Sequence, residues 1–103
     1  MLAARIGGMK TAKECADRLR ALADADRLRI VQMLRNGERT VSQIAARVEL
    51  KLAMASHHLQ ILKRAGIVEA QKKGRMVGYR LCQEVIAESK CLDLGCCKLR
   101  LSS

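Results

Sequence analysis

The chain contains no phenylalanine and no tryptophan, and Tyr79 is its only aromatic residue. Its core must therefore be assembled from Leu, Ile, Val, Ala and Met, which together with Cys and Tyr make up 50% of the residues. A thin aliphatic core in 103 residues is of the kind that a second subunit completes, so a homodimer is expected. Acidic residues are scarce as well: 10 Asp and Glu stand against 20 Lys and Arg, a formal charge of +10. Such an excess suits a polyanionic partner, provided that it gathers on one face. No apolar run approaches the roughly 20 residues needed to cross a bilayer. The opening Met1-Leu-Ala-Ala-Arg-Ile-Gly-Gly lacks the charged-then-apolar order of a signal peptide. A cytoplasmic location without membrane contact is expected. There is no Gly-rich phosphate loop, no Ser or Cys near a base at a recognisable spacing and no convincing carboxylate pair, which argues against an enzyme.

Five cysteines are present, Cys15, Cys82, Cys91, Cys96 and Cys97. An odd number cannot pair completely within one chain, and a reducing compartment favours thiols over a disulfide framework.

Local signals order the rest of the chain. Residues 1–10 read as a loose arm. Thr11 with Glu14 forms a capping box, in which each side chain satisfies a backbone N–H that a helix start leaves unpaired. Cys15, Leu19 and Leu22 recur at helical spacing behind it, predicting a first helix over 11–23. Asp24 or Asp26 caps a second helix lined by Leu28, Val31 and Leu34, which Gly37 ends. Thr40 with Gln43 is a second capping box and opens a short third helix through Ile44, Ala45 and Val48.

A fourth helix is predicted over 52–65. Ala55, Leu59 and Leu62 share one stripe, with His58 and Ala65 at its flank. Ser56, Gln60 and Lys63 lie opposite, with His57 and Arg64 beside them, and Gly66 stops the helix. Two short helices joined by a tight turn, the second polar and basic on its outer face, make a helix-turn-helix. From Ile67 the period becomes two: Val68 and Ala70 alternate with Glu69 and Gln71. Val77, Tyr79 and Leu81 return beyond a Lys72-Lys73-Gly74-Arg75 turn. That is a β-hairpin with a basic tip. The predicted fold is mainly α with a small β-hairpin wing: a winged helix-turn-helix over 11–82, followed by a dimerisation and cysteine tail over 83–103.

Three segments in register now resemble the ArsR/SmtB family of winged-helix regulators. They are Ala21-Leu-Ala-Asp-Ala-Asp-Arg-Leu-Arg-Ile-Val, Ser56-His-His-Leu-Gln-Ile-Leu-Lys-Arg-Ala-Gly-Ile-Val and Lys73-Gly-Arg-Met-Val-Gly-Tyr-Arg-Leu. Together they cover roughly residues 17–82. The resemblance implies a dimeric repressor that binds a palindromic operator in double-stranded DNA and leaves it when an inducer binds. The fourth helix would enter the major groove with its N-terminal half toward the bases. Leu52 and Ala53 would face thymine methyls, and Ser56, His57 and Gln60 the polar base edges. Lys63 and Arg64 would meet phosphate. Lys72, Lys73 and Arg75 would meet the flanking backbone or minor groove, although a solvated hairpin tip would carry the same residues. His58, at the edge of the apolar stripe, is expected in the core.

The chain also departs from the family pattern. Where many members have Cys-Val-Cys it has Thr40-Val41-Ser42, and hydroxyls do not replace thiolates for soft ions. It has no His after His58, which removes a second family site in the C-terminal helix. Glu49 stands where glycine is common, Lys51 where Ser or Thr caps the reading helix, and Leu52-Ala53-Met54 where polar residues are usual. Those apolar residues leave open an alternative, a winged-helix module that contacts proteins without specific DNA binding. Any inducer chemistry falls to Cys91, Cys96 and Cys97, with Cys15 able to join them. They would bind a thiophilic metal or metalloid, or undergo thiol oxidation; alternatively, these cysteines are structural. Cys97, Leu99 and Leu101 alternate with Lys98 and Arg100, predicting a terminal strand that pairs with the hairpin or with the other subunit. In a regular strand Cys96 and Cys97 would point to opposite faces, unless Gly95 introduces a turn.

Overall fold

The computed structural model describes residues 11–86 and 91–101. The arm expected at 1–10 lies outside them, as do residues 87–90 of the segment 85–90, the one stretch of the tail whose sequence could form a further short helix. Helix α1 (Ala12–Leu22) starts on Thr11, whose hydroxyl accepts from the Glu14 N–H while the Glu14 carboxylate accepts from the Thr11 N–H. Helix α2 (Ala25–Leu34) is capped by Asp24, which accepts from the Asp26 and Arg27 N–H groups. The two-residue strand β1 (Arg39–Thr40) follows. It leads into α3 (Val41–Val48), opened by the Thr40–Gln43 capping box. Helix α4 (Leu52–Arg64) then runs through Gly66 into β2 (Val68–Lys73) and β3 (Met76–Leu81). The two strands pair antiparallel from Val68 opposite Leu81 to Lys73 opposite Met76, leaving Gly74 and Arg75 at the tip.

Strand β1 has no sequence signature. Arg39 and Thr40 dock opposite Tyr79 and Gly78 on β3, so the sheet has three strands in the order β1-β3-β2. The link between α2 and α3 is thereby hydrogen-bonded to the wing.

The core draws on every layer, and at its centre Ile30, Ile44, Leu59, Leu62 and Ile67 are fully buried. Tyr79, the lone ring, packs at its edge. The helix stripes came out as predicted in α3 and α4, where Ala55, His58, Leu59 and Leu62 are buried. The α1 stripe differs. Leu19 is 40% exposed, while Arg18, Ala21 and Leu22 face inward. A charged side chain takes the inner position because carbonyl acceptors from distant segments await it there, as described below.

Beyond the wing, a short 3-10 turn (Gln83–Val85) leads to strands β4 (Cys91–Asp93) and β5 (Lys98–Arg100). The terminal strand exists, but it pairs with β4 in a two-stranded sheet of its own, not with the wing. The turn Leu94–Cys97 makes this possible: Gly95 adopts φ 90° and the Leu94 N–H donates to the Cys97 carbonyl at 2.9 Å. Val85, Leu92, Leu94 and Leu101 insert into the same core as the helices.

Candidate nucleic-acid interface

Helix α4 divides cleanly between inner and outer faces. On the outer face Leu52, Ala53, His57, Gln60, Lys63 and Arg64 are exposed and Ser56 is half-buried. Ala53, His57, Gln60 and Arg64 follow one another at spacings of four, three and four, a single stripe along the helix. Lys63 and Arg64 occupy its last turn, where the dipole favours cations. At the wing tip Lys72, Lys73 and Arg75 are exposed. Lys73 is not free, because its ammonium pairs with the half-buried Glu38 at 3.0 Å. The Glu38 carboxylate lies over Gly78, where an added Cβ would come within 2.1 Å of it. Glu38 thus joins the helical half to the wing, and no local pattern announced it.

The turn into α4 carries its own strain. Glu49 adopts φ 58°, the only positive φ outside glycine among the described residues. Left-handed backbone disfavours an L side chain by roughly 1–2 kcal/mol, which glycine avoids. Glu49→Gly is therefore expected to raise stability by about 1 kcal/mol, read as a higher urea midpoint at unchanged m. Lys51 supplies no side-chain cap, as its chemistry predicts.

His58 lies in the core, 5% exposed. Its Nδ1 is 3.0 Å from Arg27 Nη1, and a guanidinium can only donate, so Nδ1 accepts. In the neutral ring the proton sits on Nε2, which faces the Asp26 carboxylate at 3.9 Å. Arg27 also donates to the Ala21 carbonyl, tying the end of α1 to α4 through α2. The Asp24 carboxylate is held below its ordinary value, first by the Arg27 backbone N–H. Its folded pKa is depressed, so its contribution is fully present above the unfolded value near 3.9 and is lost as pH falls through the lower folded value. Asp24→Ala is expected to cost about 1 kcal/mol at pH 7, with the gap to the parent narrowing below about pH 4 in urea melts.

The cysteines regroup. Cys15 and Cys96 are paired as a disulfide across 81 residues of sequence, with Cα atoms 6.0 Å apart, where thiols were expected. The pairing arises because the Gly95 turn carries Cys96 onto α1. The structure groups two of the predicted trio with Cys15. Cys91 sits in β4 opposite Arg100, while the sulfurs of Cys15, Cys96 and Cys97 lie within 4.8 Å of one another. As thiolates these three suit a soft ion; while the disulfide stands, two of them are not donors. Cys82 is a free thiol on which burial, then the Glu69 and Glu84 carboxylates, push the pKa above its ordinary value.

Arg18 is the residue that sequence spacing missed. Its guanidinium is buried and donates from Nε to the Ala65 carbonyl at the α4 C-cap at 3.1 Å. Nη1 donates to the Leu94 carbonyl at 3.4 Å, and Nη2 pairs with Glu84 at 3.1 Å. The signal was present as Arg18, Ala21 and Leu22 at helical spacing, but no acceptor was in view.

Against known proteins, the family model for bacterial regulatory proteins of the arsR family matches residues 24–70. The HTH-type transcriptional regulator Rv0324 of Mycobacterium tuberculosis is 43% identical over 68 residues, covering 66% of this chain and 30% of that protein. The regulator NmtR of the same organism is 33% identical over 94 residues, covering 84% of this chain and 78% of its own length. Among solved structures, the homodimeric winged helix-turn-helix DNA-binding domain of Mb0332 from Mycobacterium bovis superposes with a TM-score of 0.68. It is 40% identical, with 70% of this chain and 67% of that one covered. The chain thus spans under a third of Rv0324 but more than three quarters of NmtR. No helix among the described residues is long and apolar enough to cross a membrane.

Proposed function

This chain belongs to the arsR family of bacterial regulatory proteins, and we propose that it is a cytoplasmic, homodimeric, sequence-specific DNA-binding repressor without enzymatic activity. The observation that carries this reading is the uncovered outer stripe of α4, polar and basic, presented by a helix whose opposite face is locked in the core. The homodimeric state of the Mycobacterium bovis domain supports a two-fold arrangement and hence a palindromic site.

In this reading the N-terminal half of α4 enters the major groove. Leu52 and Ala53 lie against thymine methyls, and Ser56, His57 and Gln60 exchange hydrogen bonds with base edges. Lys63 and Arg64 meet phosphate, and Lys72, Lys73 and Arg75 contact the flanking backbone or minor groove. For Lys73, phosphate must displace Glu38. In the reduced protein Cys15, Cys96 and Cys97 would hold a thiophilic ion, should one act as inducer.

The test is fluorescence anisotropy on duplex DNA from upstream of the protein's own gene, titrated from 50 to 200 mM salt. Each phosphate contact contributes about −0.9 to the slope of log K against log salt, so a dimer should give a steep line. A flat line, or equal affinity for a scrambled duplex, would leave only a protein-interaction module.

A further inference from the structure

We propose that Cys15 and Cys96 form a redox-active pair whose state sets DNA affinity, with Arg18 transmitting that state to α4. This regulation presupposes the DNA-binding role above. A disulfide in a cytoplasmic regulator is more often a transient, sensing bond than a structural staple, and the placement of this one favours access. Cys96 is exposed and sits in a tight turn, beside the exposed Cys97, whose sulfur is 3.9 Å from its own. Cys15 and Arg18 are three residues apart on α1, hence neighbours on one face of the helix. Arg18 grips the Leu94 carbonyl, which opens the turn carrying Cys96, and the Ala65 carbonyl, which closes α4. One buried guanidinium thus touches both the segment that the disulfide holds and the end of the groove-reading helix. Gly66, at φ 79°, leaves the space that Arg18 occupies.

The chemistry closes with a peroxide as oxidant and a dithiol as reductant. One cysteine thiolate attacks the peroxide O–O bond, becoming a sulfenic acid and releasing water once protonated. The second thiol then displaces a second water and the S–S bond forms, so that two thiols and one hydrogen peroxide yield a disulfide and two waters. A dithiol reverses this in two exchanges. One of its thiolates attacks the S–S bond to give a mixed disulfide and one free cysteine thiol. Its second thiol then displaces the other cysteine, so that the dithiol leaves as a cyclic disulfide and its two hydrogens end on Cys15 and Cys96. In the oxidised form the turn is fastened to α1 and Arg18 keeps its full set of partners. On reduction the fastening is limited to the β4–β5 sheet, the buried leucines and the Arg18 contacts themselves. The two states therefore differ in how firmly Arg18, and with it the end of α4, is held, which is the differential interaction that a shift in affinity requires.

The experiment compares the full chain treated with hydrogen peroxide and then desalted against the same protein in dithiothreitol. DNA affinity at fixed salt, melting temperature and a peptide map of the disulfide are measured for each. The oxidised form is expected to carry a Cys15–Cys96 link, bind about 5-fold or more tightly, and melt about 10 °C or more higher, since the link closes a long loop. Cys15→Ser and Cys96→Ser should bind equally under both conditions, whereas Cys97→Ser should keep the difference. Arg18→Lys should still form the link, yet show little redox dependence of affinity. A purely structural role for Arg18 would lower both affinities and leave their ratio unchanged. Equal affinity of the two parent forms while the link forms as mapped overturns the regulation and leaves DNA binding intact. Salt-independent binding in both forms overturns the DNA-binding role itself. A map linking Cys96 to Cys97 overturns the assigned pair.

Discussion

Leu59→Ala is expected to lower the folding free energy by about 2–5 kcal/mol, which corresponds to a fall in Tm of very roughly 10–25 °C for a domain of this size. Leu59 is fully buried on α4 and belongs to the core shared by all the helices and both sheets. Truncating it removes the apolar burial and leaves a cavity. The core to which it belongs is built mostly of branched aliphatics on anchored elements, with Tyr79 at its edge the one large ring. The loss should register as a lower urea midpoint at unchanged m. Leu52, on the same helix and 53% exposed, provides the contrast. Leu52→Ala should leave stability within about 0.5 kcal/mol of the parent while weakening DNA binding, if its side chain meets thymine. Equal destabilisation by both substitutions would mean that α4 does not face the core as described.

Gly66→Ala should cost about 2–5 kcal/mol, although it adds a single methyl group. The backbone at Gly66 has φ 79°, where an L side chain is strained by roughly 1–2 kcal/mol. The new Cβ would also lie 3.0 Å from Arg18 Nη2. That nitrogen is not a loose chain end, because it pairs with Glu84 and belongs to a guanidinium that also holds two carbonyls. Displacing a buried, hydrogen-bonded charge adds about 1–3 kcal/mol. A double-mutant cycle separates the two contributions. In an Arg18→Ala background Gly66→Ala should retain only the backbone part, so the two substitutions should be markedly less than additive. Full additivity would show that Arg18 and Gly66 do not compete for the same space.

Wherever a structural decision is local, the sequence carried it. Both capping boxes, a cap at Asp24 or Asp26, the buried stripe of α4 and the hairpin of the wing are settled by neighbours within about one turn or one strand, whereas Val77, expected inward on β3, is exposed. The outer residues of α4 and the wing followed from the same periods, with Ser56 lying nearer the border than its spacing implies. The remaining features depend on partners far along the chain. Arg18 turns inward because Ala65 and Leu94, 47 and 76 residues away, offer carbonyls. Cys15 meets Cys96 only after the tail has folded back as a hairpin. Strand β1 is too short to alternate, and it exists because β3 presents an edge opposite it. Glu38 likewise takes its role from Gly78, an ordinary strand glycine by sequence, whose missing side chain makes room for the carboxylate.

The β1–β3 pairing and the Glu38–Lys73 contact have a thermodynamic corollary. Helix α3 is fastened at its start to the strand that forms half of the wing, so the separation between α4 and the wing tip is set by folding itself. A hairpin dangling from α4 would have to surrender its orientational freedom on every encounter, and each ordered side chain would subtract from affinity. Here that ordering is completed during folding. If α4 and the wing bind DNA as proposed, association proceeds as rigid docking of a preset calliper, and a duplex whose twist and groove width fit the protein's span is preferred.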